Sequence, residues 1–202
     1  GACLESGLSS FVGMYHLPMR HGLSIGELAQ LFNQDIGADL TVIKMKDWDA
    51  NCSWPMDRPW VPTSPNLPTL DAVAIYPGMV IFEGTNISEG RGTTSPFQLV
   101  GAPYIKESKR LIKRVCDLYP LLSGVFLQEA SFRPMFGKWA GQVCNGVAIR
   151  IVDREKINSY LLGLSLLRAF IDLGEEKFSW KEPPYEYDFE TLPIKLILGK
   201  EI

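Results

Sequence analysis

An alternating strand followed directly by a long helical pattern constrains the fold most strongly. Apolar residues at 147, 149 and 151 alternate with the residues between them, which predicts a β-strand. From Asp153 to about Leu173 the apolar residues instead form one broad helical face, and Gly174 supplies a stop signal. Because a strand and a helix must each bury an apolar face against another layer, this pair predicts an α+β or α/β fold.

The rest of the chain continues this mixture of helices and strands. Ser24 and Glu27 form a capping box before an amphipathic segment, and Gly37 ends it. Further elements are predicted as strands at Leu40–Lys46 and Val125–Pro134 and as a helix at Glu107–Tyr119. We therefore expect a single compact domain in which helices pack on a mixed sheet.

Composition excludes several classes of protein. The chain has 202 residues, of which 46% are hydrophobic and 21% charged, so it can bury a core and is not a disordered chain. The net charge of −3 argues against a nucleic-acid-binding domain. No apolar run reaches about 18 residues, so no membrane span is predicted.

The four cysteines are widely separated, at positions 3, 52, 116 and 144, and contain no C-x-x-C pair. A structural zinc site needs closely spaced ligands, so we predict no metal and no cofactor. The cysteines either form one or two disulfides or remain as thiols.

The segment from Glu83 to Phe97, EGTNISEGRGTTSPF, concentrates the polar chemistry of the chain. Glu83 and Glu89 are candidates for an acid–base pair, since glycoside hydrolysis typically uses two carboxylates. Arg91 suits bidentate capture of a substrate carboxylate. The alternative is that both glutamates brace the loop and pair with Arg91, while the hydroxyls satisfy the backbone of a turn.

Other candidates lie elsewhere in the chain. His21 is either an acid or base, or it holds the start of the first helix. Asn66 lies in the rigid turn SPNLP and presents its amide, or serves the turn itself. The irregular segment Met45–Thr69 is predicted to be a functional loop. Four aromatic residues either stack on sugars or fill the core: Trp48, Trp54, Trp60 and Tyr104.

Several of these segments together resemble one family. The matching segments are Phe11–Gly13, Arg20–Gly22, Gly26–Ala29, Trp60–Pro68, Tyr76–Gly78, Glu83–Phe97, Gly101–Tyr104, Phe132–Pro134, Ala140–Gly141, Cys144–Val147 and Asp153–Arg154. In this combination the chain resembles the DUF1343 proteins, which are exo-acting β-N-acetylmuramidases of the NamZ type. The fifteen-residue match at 83–97 is the most specific.

The resemblance implies an exported peptidoglycan hydrolase that removes terminal N-acetylmuramic acid from the non-reducing end. It places residues 1–202 in the C-terminal domain, with a Rossmann-like N-terminal half absent and acting as a partner across the active-site cleft. It implies Glu83 and Glu89 as catalytic residues, and His21, Asn66, Asn86, Arg91 and Tyr104 as substrate-binding residues. We further hypothesise that Arg91 binds the lactyl carboxylate. The alternatives are a non-catalytic muropeptide- or sugar-binding domain and a purely structural one.

Overall fold

The computed structural model describes residues 4–50 and 59–202, and within these ranges the predicted α+β class is confirmed. The α-helices are α1 (Ile25–Ile36), α2 (Leu70–Met79), α3 (Ser108–Leu118), α4 (Ser159–Gly174) and α5 (Pro193–Leu198). The strands are β1 (Leu99–Ala102), β2 (Val125–Phe132) and β3 (Cys144–Ile151). Short 3₁₀ helices occupy Val80–Gly84, Arg154–Lys156 and Glu175–Lys177.

Two compact units can be distinguished along the chain. The larger unit consists of Gly1–Leu17 together with Trp60–Ile202, and the smaller consists of Pro18–Pro59. All three described strands and helices α2 to α5 belong to the larger unit. The smaller unit contains α1.

Helix α1 begins and ends at the predicted residues. The Ser24 side chain accepts a hydrogen bond from the Glu27 amide, and the Glu27 carboxylate accepts one from the Ser24 amide at 2.7 Å. The hydrogen bonds from Ser24 lower the pKa of Glu27. Gly37 ends the helix in the left-handed conformation. The capping box and the stop signal are therefore confirmed.

The strand predicted at residues 40–46 is wrong, because this segment has no regular secondary structure. Most of the segment is exposed, and Val42 packs against Gly26 of α1. A strand needs a neighbouring strand to share its hydrogen bonds. The described part of the smaller unit contains no other strand, so the alternating pattern here has no partner.

The sheet is antiparallel throughout, which corrects the expectation of a mixed sheet. Its strand order is β1–β3–β2, so β3 is central. Val147 of β3 lies opposite Val100 on one side and Glu129 on the other. The predicted strands at 125–134 and 147–151 are confirmed, with β3 beginning three residues earlier, at Cys144.

Helices α2 and α4 pack at very short distance through two glycines. A Cβ atom on Gly163 would lie 2.2 Å from the carbonyl oxygen of Gly78, and one on Gly78 would lie 1.6 Å from the carbonyl oxygen of Ser159. Only glycine permits two backbones to approach this closely. Helix α2 itself was not predicted, because Pro77 and Gly78 are residues that usually interrupt helices.

Helix α4 begins later than predicted. Its N-cap is Asn158, whose side-chain oxygen accepts a hydrogen bond from the Leu161 amide at 3.0 Å. The preceding residues form a separate 3₁₀ turn at Arg154–Lys156. The apolar face of α4 joins the main core of the larger unit, whose largest fully buried side chains include Phe82, Phe97, Phe170, Ile75, Met79 and Leu166.

Two further observations concern the predictions from composition. None of the helices in the described ranges is long and apolar enough to cross a bilayer. Cys116 is exposed and Cys144 is buried, and both are free thiols. Burial raises the pKa of Cys144 to about 11. Cys3 and Cys52 lie outside the described residues.

Candidate functional site

A polar pocket in the larger unit collects the charged residues of the 83–97 segment. Its volume is about 250 Å³. The lining residues are Glu83, Glu89, Arg91, Lys138, Lys181, Pro184, Tyr185 and Glu186. The first three are residues that the sequence predicted for the site. Lys138, Lys181, Tyr185 and Glu186 come from two later segments, in which no sequence motif predicted a site.

The hydroxyl side chains of the 83–97 segment support the backbone, as the structural alternative predicted. Thr85 donates to the carbonyl of Phe82 at 2.9 Å, and Thr93 donates to that of Gly90 at 2.6 Å. The amide and carbonyl of Ser88 exchange hydrogen bonds with Gly101 of β1. These contacts fix the segment to the sheet, so the charged side chains that it carries start from a rigid backbone.

Glycines on both sides of Arg91 allow the backbone to turn there. Gly90 and Gly92 have φ values of 78° and 82°, a region that L-residues with a side chain rarely adopt. A Cβ atom on Gly90 would lie 2.6 Å from the carbonyl oxygen of Leu99, and one on Gly92 would lie 2.6 Å from that of Phe136. The two glycines thus place Arg91 in a tight turn packed against neighbouring backbone.

The guanidinium of Arg91 is held from three directions. Its Nη2 forms an ion pair with Oε1 of Glu83, and its Nε lies 3.6 Å from Oε1 of Glu89. Its Cζ lies 5.3 Å from the centroid of the Phe97 ring, a cation–π distance. The Arg91 side chain still has 35% of its surface exposed. It is therefore oriented by the protein and open to the pocket.

Lys138 forms an ion pair with Glu89 and hydrogen bonds with two nearby backbone carbonyls. Its Nζ lies 2.7 Å from Oε2 of Glu89 and donates to the carbonyls of Phe82 at 2.6 Å and Ile87 at 2.8 Å. Burial lowers the pKa of Lys138, and the negative charge of Glu89 opposes that shift. The Glu89 side chain is only 5% exposed. Lys138 thus connects the backbone at Phe82 with the loop that contains Ile87 and Glu89.

Tyr185 holds the second oxygen of Glu83. Its hydroxyl donates to Oε2 of Glu83 at 2.9 Å. Burial, together with the negative charge of Glu83, raises the pKa of Tyr185. Both oxygens of Glu83 are therefore engaged, one by Arg91 and one by Tyr185. The predicted alternative, in which both glutamates pair with Arg91, describes these contacts, while a catalytic role for Glu83 and Glu89 stays a prediction.

Asn86 and Tyr104 lie together but use their polar atoms within the fold. The Tyr104 hydroxyl donates to Oδ1 of Asn86 at 2.9 Å, and Nδ2 of Asn86 donates to the Lys177 carbonyl at 2.7 Å. Burial raises the pKa of Tyr104. Neither residue is among those that line the pocket. They join the loop to the segment after α4, and their substrate-binding role stays a prediction.

Neither His21 nor Asn66 is among the residues that line the pocket. His21 belongs to the smaller unit, where its Nδ1 accepts a hydrogen bond from the Leu23 amide at 3.1 Å just before α1. Asn66 lies in the turn before α2, where its backbone N–H donates to the Ser64 hydroxyl at 3.3 Å. Of the tryptophans, Trp48 is half exposed and Trp54 lies outside the described residues.

The sequence carried only a weak signal for the residues that were missed. Lys138 follows an exposed turn containing Phe136, and it reaches Glu89 through a tertiary contact that no local pattern reports. Lys181, Tyr185 and Glu186 lie in a proline-containing stretch without regular structure. Charged residues between prolines and aromatics are a sign of an ordered loop, which is where binding residues concentrate.

The pocket has a balanced charge that suits a polar ligand with both donors and acceptors. Three carboxylates and three cations line it. In the described ranges, no group of three or more His, Cys, Asp or Glu side chains is arranged to hold a metal ion. The charged side chains that line the pocket offer hydrogen bonding and ion pairing to a ligand.

Comparison with known proteins identifies the family. Residues 74–202 match the family model described as exo-beta-N-acetylmuramidase NamZ, C-terminal, and residues 1–71 match the corresponding N-terminal model. The chain belongs to the NamZ family. The two matches meet between residues 71 and 74, whereas we expected all 202 residues to be C-terminal domain.

One curated protein and two solved structures are similar to the chain. The chain is 46% identical over 183 residues to the peptidoglycan beta-N-acetylmuramidase NamZ of Bacillus subtilis strain 168, covering 89% of this chain and 44% of that protein. Two DUF1343 proteins of Bacteroides fragilis have similar structures. One has a TM-score of 0.81 at 25% identity, covering 98% of this chain and 51% of the other. The second has a TM-score of 0.63 at 24% identity, covering 98% and 50%. The chain thus spans about half the length of the relatives it matches.

Proposed function

We propose that this chain is part of a peptidoglycan glycoside hydrolase that releases terminal N-acetylmuramic acid from the non-reducing end. The Bacillus subtilis relative is a peptidoglycan beta-N-acetylmuramidase, and it matches 89% of this chain. Under this proposal the pocket around Arg91 forms one wall of the active-site cleft. In a protein of the relatives' length, the remaining sequence supplies the opposite wall and the catalytic acid.

The orientation of Arg91 is the observation that carries the proposal. Two carboxylates and the Phe97 ring fix its guanidinium, yet its side chain remains 35% exposed. The planar guanidinium offers parallel N–H donors that match a carboxylate. N-acetylmuramic acid differs from N-acetylglucosamine by its lactyl ether, which carries such a carboxylate. Arg91 is therefore proposed to bind the lactyl group.

The size of the pocket supports a single sugar unit as the ligand. Its volume of about 250 Å³ is below the roughly 300–1,000 Å³ that is typical of sites enclosing drug-sized ligands. A terminal monosaccharide is smaller than such ligands, whereas a glycan strand is longer. The volume is consistent with a site that recognises the end of a chain.

Glu83 and Glu89 are proposed to contribute to catalysis through their negative charge near the sugar. Glu83 is the more accessible carboxylate, with a side chain 13% exposed against 5% for Glu89. An oxocarbenium-like transition state is stabilised by a nearby carboxylate. Glu83 is therefore the stronger candidate for contact with the reacting sugar, and Glu89 acts mainly by holding Arg91.

The alternative is a muropeptide- or sugar-binding domain without catalytic residues of its own. It is favoured by the pairing of Glu83 with Arg91 and Tyr185, and of Glu89 with Lys138. A carboxylate that is held by cations and a hydroxyl is less free to move a proton. In this alternative the pocket recognises the sugar, and the chemistry belongs entirely to the rest of the longer protein.

We also propose that the protein is exported and acts in turnover of the bacterial cell wall. The support is chemical: peptidoglycan lies outside the cytoplasmic membrane, so an enzyme that trims its glycan ends must reach that compartment. The location is thus inferred from the proposed substrate alone.

Release of 4-nitrophenol from 4-nitrophenyl β-N-acetylmuramide tests the proposal. The assay compares the 202-residue chain with a chimera in which it replaces the matching part of the Bacillus subtilis relative. We expect the chimera to be active and its Glu83→Gln variant to be impaired. An active chimera whose Glu83→Gln and Glu89→Gln variants retain full activity favours the binding-domain alternative. An inactive, folded chimera contradicts the proposed contribution of this chain to hydrolysis.

A further inference from the structure

Glu186 is a pocket carboxylate that the fold leaves without an ion pair. It lines the pocket together with Arg91 and Lys181. The other two pocket carboxylates, Glu83 and Glu89, are held by Arg91, Tyr185 and Lys138. Within the described ranges, the Glu186 side chain forms no hydrogen bond or salt bridge. It therefore keeps its acceptor capacity for a ligand.

The backbone at Glu186 adopts a conformation that usually requires glycine. Tyr185 and Asp188 exchange backbone hydrogen bonds at 2.9 and 3.0 Å, which makes Glu186 and Tyr187 the two central residues of a tight turn. Glu186 has a φ of 50°. A positive φ at the first central position is typical of a type II′ turn, where glycine is preferred. The presence of glutamate here carries a backbone strain that glycine would relieve.

The side chain of Glu186 is close to the groups that fix the pocket. Its negative charge contributes to raising the pKa of Tyr185 and of Tyr76, in both cases after burial and the charge of Glu83. The turn at 185–188 begins with Tyr185, whose hydroxyl donates to Glu83. Glu186 therefore combines a strained backbone with an unpaired carboxylate beside the proposed binding position.

The hydrogen-bonding groups of the pocket lack another free charged acceptor. Arg91, Lys138 and Lys181 can only donate. Glu83 accepts hydrogen bonds from Arg91 and Tyr185, and Glu89 is ion-paired with Lys138. A saccharide brings hydroxyl donors as well as acceptors. We propose that Glu186 binds a hydroxyl of the terminal sugar whose lactyl carboxylate is held by Arg91. This inference rests on the function proposed above and adds a second substrate contact to it.

Calorimetric titration of the 202-residue chain with N-acetylmuramic acid tests the inference. The variants are Glu186→Gln, which keeps the shape of the side chain, and Glu186→Gly, which removes the carboxylate and relieves the turn. Glu190→Gln is the matched control, since Glu190 is exposed and does not line the pocket. Removal of a hydrogen bond to a charged group is expected to lower the affinity by about tenfold or more.

We expect both Glu186 variants to bind the sugar about tenfold more weakly or worse, and Glu190→Gln to bind it like the unchanged chain. The melting temperature of Glu186→Gly is expected to be no lower than that of the unchanged chain. Unaltered affinity in both Glu186 variants overturns the inference and leaves the proposed function intact. Weak binding by Glu186→Gly together with a lower melting temperature, while Glu186→Gln binds normally, shows a structural role and also overturns it. If the unchanged chain binds no sugar, the proposed function fails and the role of Glu186 falls with it.

Discussion

Nζ of Lys138 lies 2.7 Å from Oε2 of Glu89, whose other carboxylate oxygen lies 3.6 Å from Nε of Arg91. The same ammonium donates to the carbonyls of Phe82 and Ile87. One partly buried cation thus connects the 3₁₀ helix that carries Glu83 with the loop that carries Glu89 and Arg91. The binding position of Arg91 depends on a residue more than forty positions away in sequence.

Replacement of Lys138 by Met is expected to destabilise the fold, because it leaves the buried Glu89 carboxylate without its closest cation. Breaking a buried ion pair in this way costs roughly 3–5 kcal/mol. Urea unfolding of the 202-residue chain measures the loss, with Lys109→Met as a control at an exposed lysine. Adding Glu89→Gln to Lys138→Met is expected to recover part of the stability. Losses that simply add would contradict a coupled pair.

Gly163→Ala is expected to force α2 and α4 apart, since the new Cβ atom would lie 2.2 Å from the carbonyl oxygen of Gly78. Overpacking of a tight contact typically costs about 1–3 kcal/mol, and here the clash is with backbone, which cannot rotate away. Gly13→Ala is the matched control, because its nearest neighbour would be 3.8 Å away. Equal unfolding free energies for the two variants would contradict the close packing of α2 on α4.

Tyr185 should make the fold sensitive to alkaline pH. Burial and the charge of Glu83 raise its pKa above the ordinary value of 10.0. In the unfolded chain the hydroxyl ionises near that value, so the stabilisation is complete below about pH 10 and is lost as the pH rises toward the folded pKa. We expect Tyr185→Phe to lose less stability between about pH 9 and pH 11 than the unchanged chain does.

Chemical unfolding at several pH values measures this difference. Tyr187→Phe is the control, because Tyr187 lies in the same turn but is 76% exposed. The same pH dependence in Tyr185→Phe and in the unchanged chain would contradict the burial of the Tyr185 hydroxyl beside Glu83.

The sequence could predict those elements whose signals are local. The capping box is formed by Ser24 and Glu27, which are a few positions apart, and the stop signal is the single residue Gly37. Helix α1 lies between these two signals. The alternating apolar residues of β3 predicted a strand correctly, because β3 pairs with another strand on each side. The same alternation at residues 40–46 failed, since pairing depends on a neighbour that the pattern cannot reveal.

The site was predictable only in part, for a similar reason. Glu83, Glu89 and Arg91 lie within one short segment, and their clustering alone indicated a site. Lys138 and Glu186 reach the same pocket through long-range folding, in segments without a clear periodic pattern. Helix α2 was missed because Pro77, which lies inside it, usually ends a helix.

Recognition of the lactyl sugar is expected to depend most directly on Arg91. Calorimetric titration of the 202-residue chain with N-acetylmuramic acid and with N-acetylglucosamine compares ligands that differ by that group. We predict that the unchanged chain prefers N-acetylmuramic acid by roughly tenfold or more, as expected for a charge-assisted hydrogen bond. Arg91→Lys should lose most of this preference, because lysine lacks the planar pair of donors. Equal affinity for both sugars, or an unchanged preference in Arg91→Lys, would contradict the account.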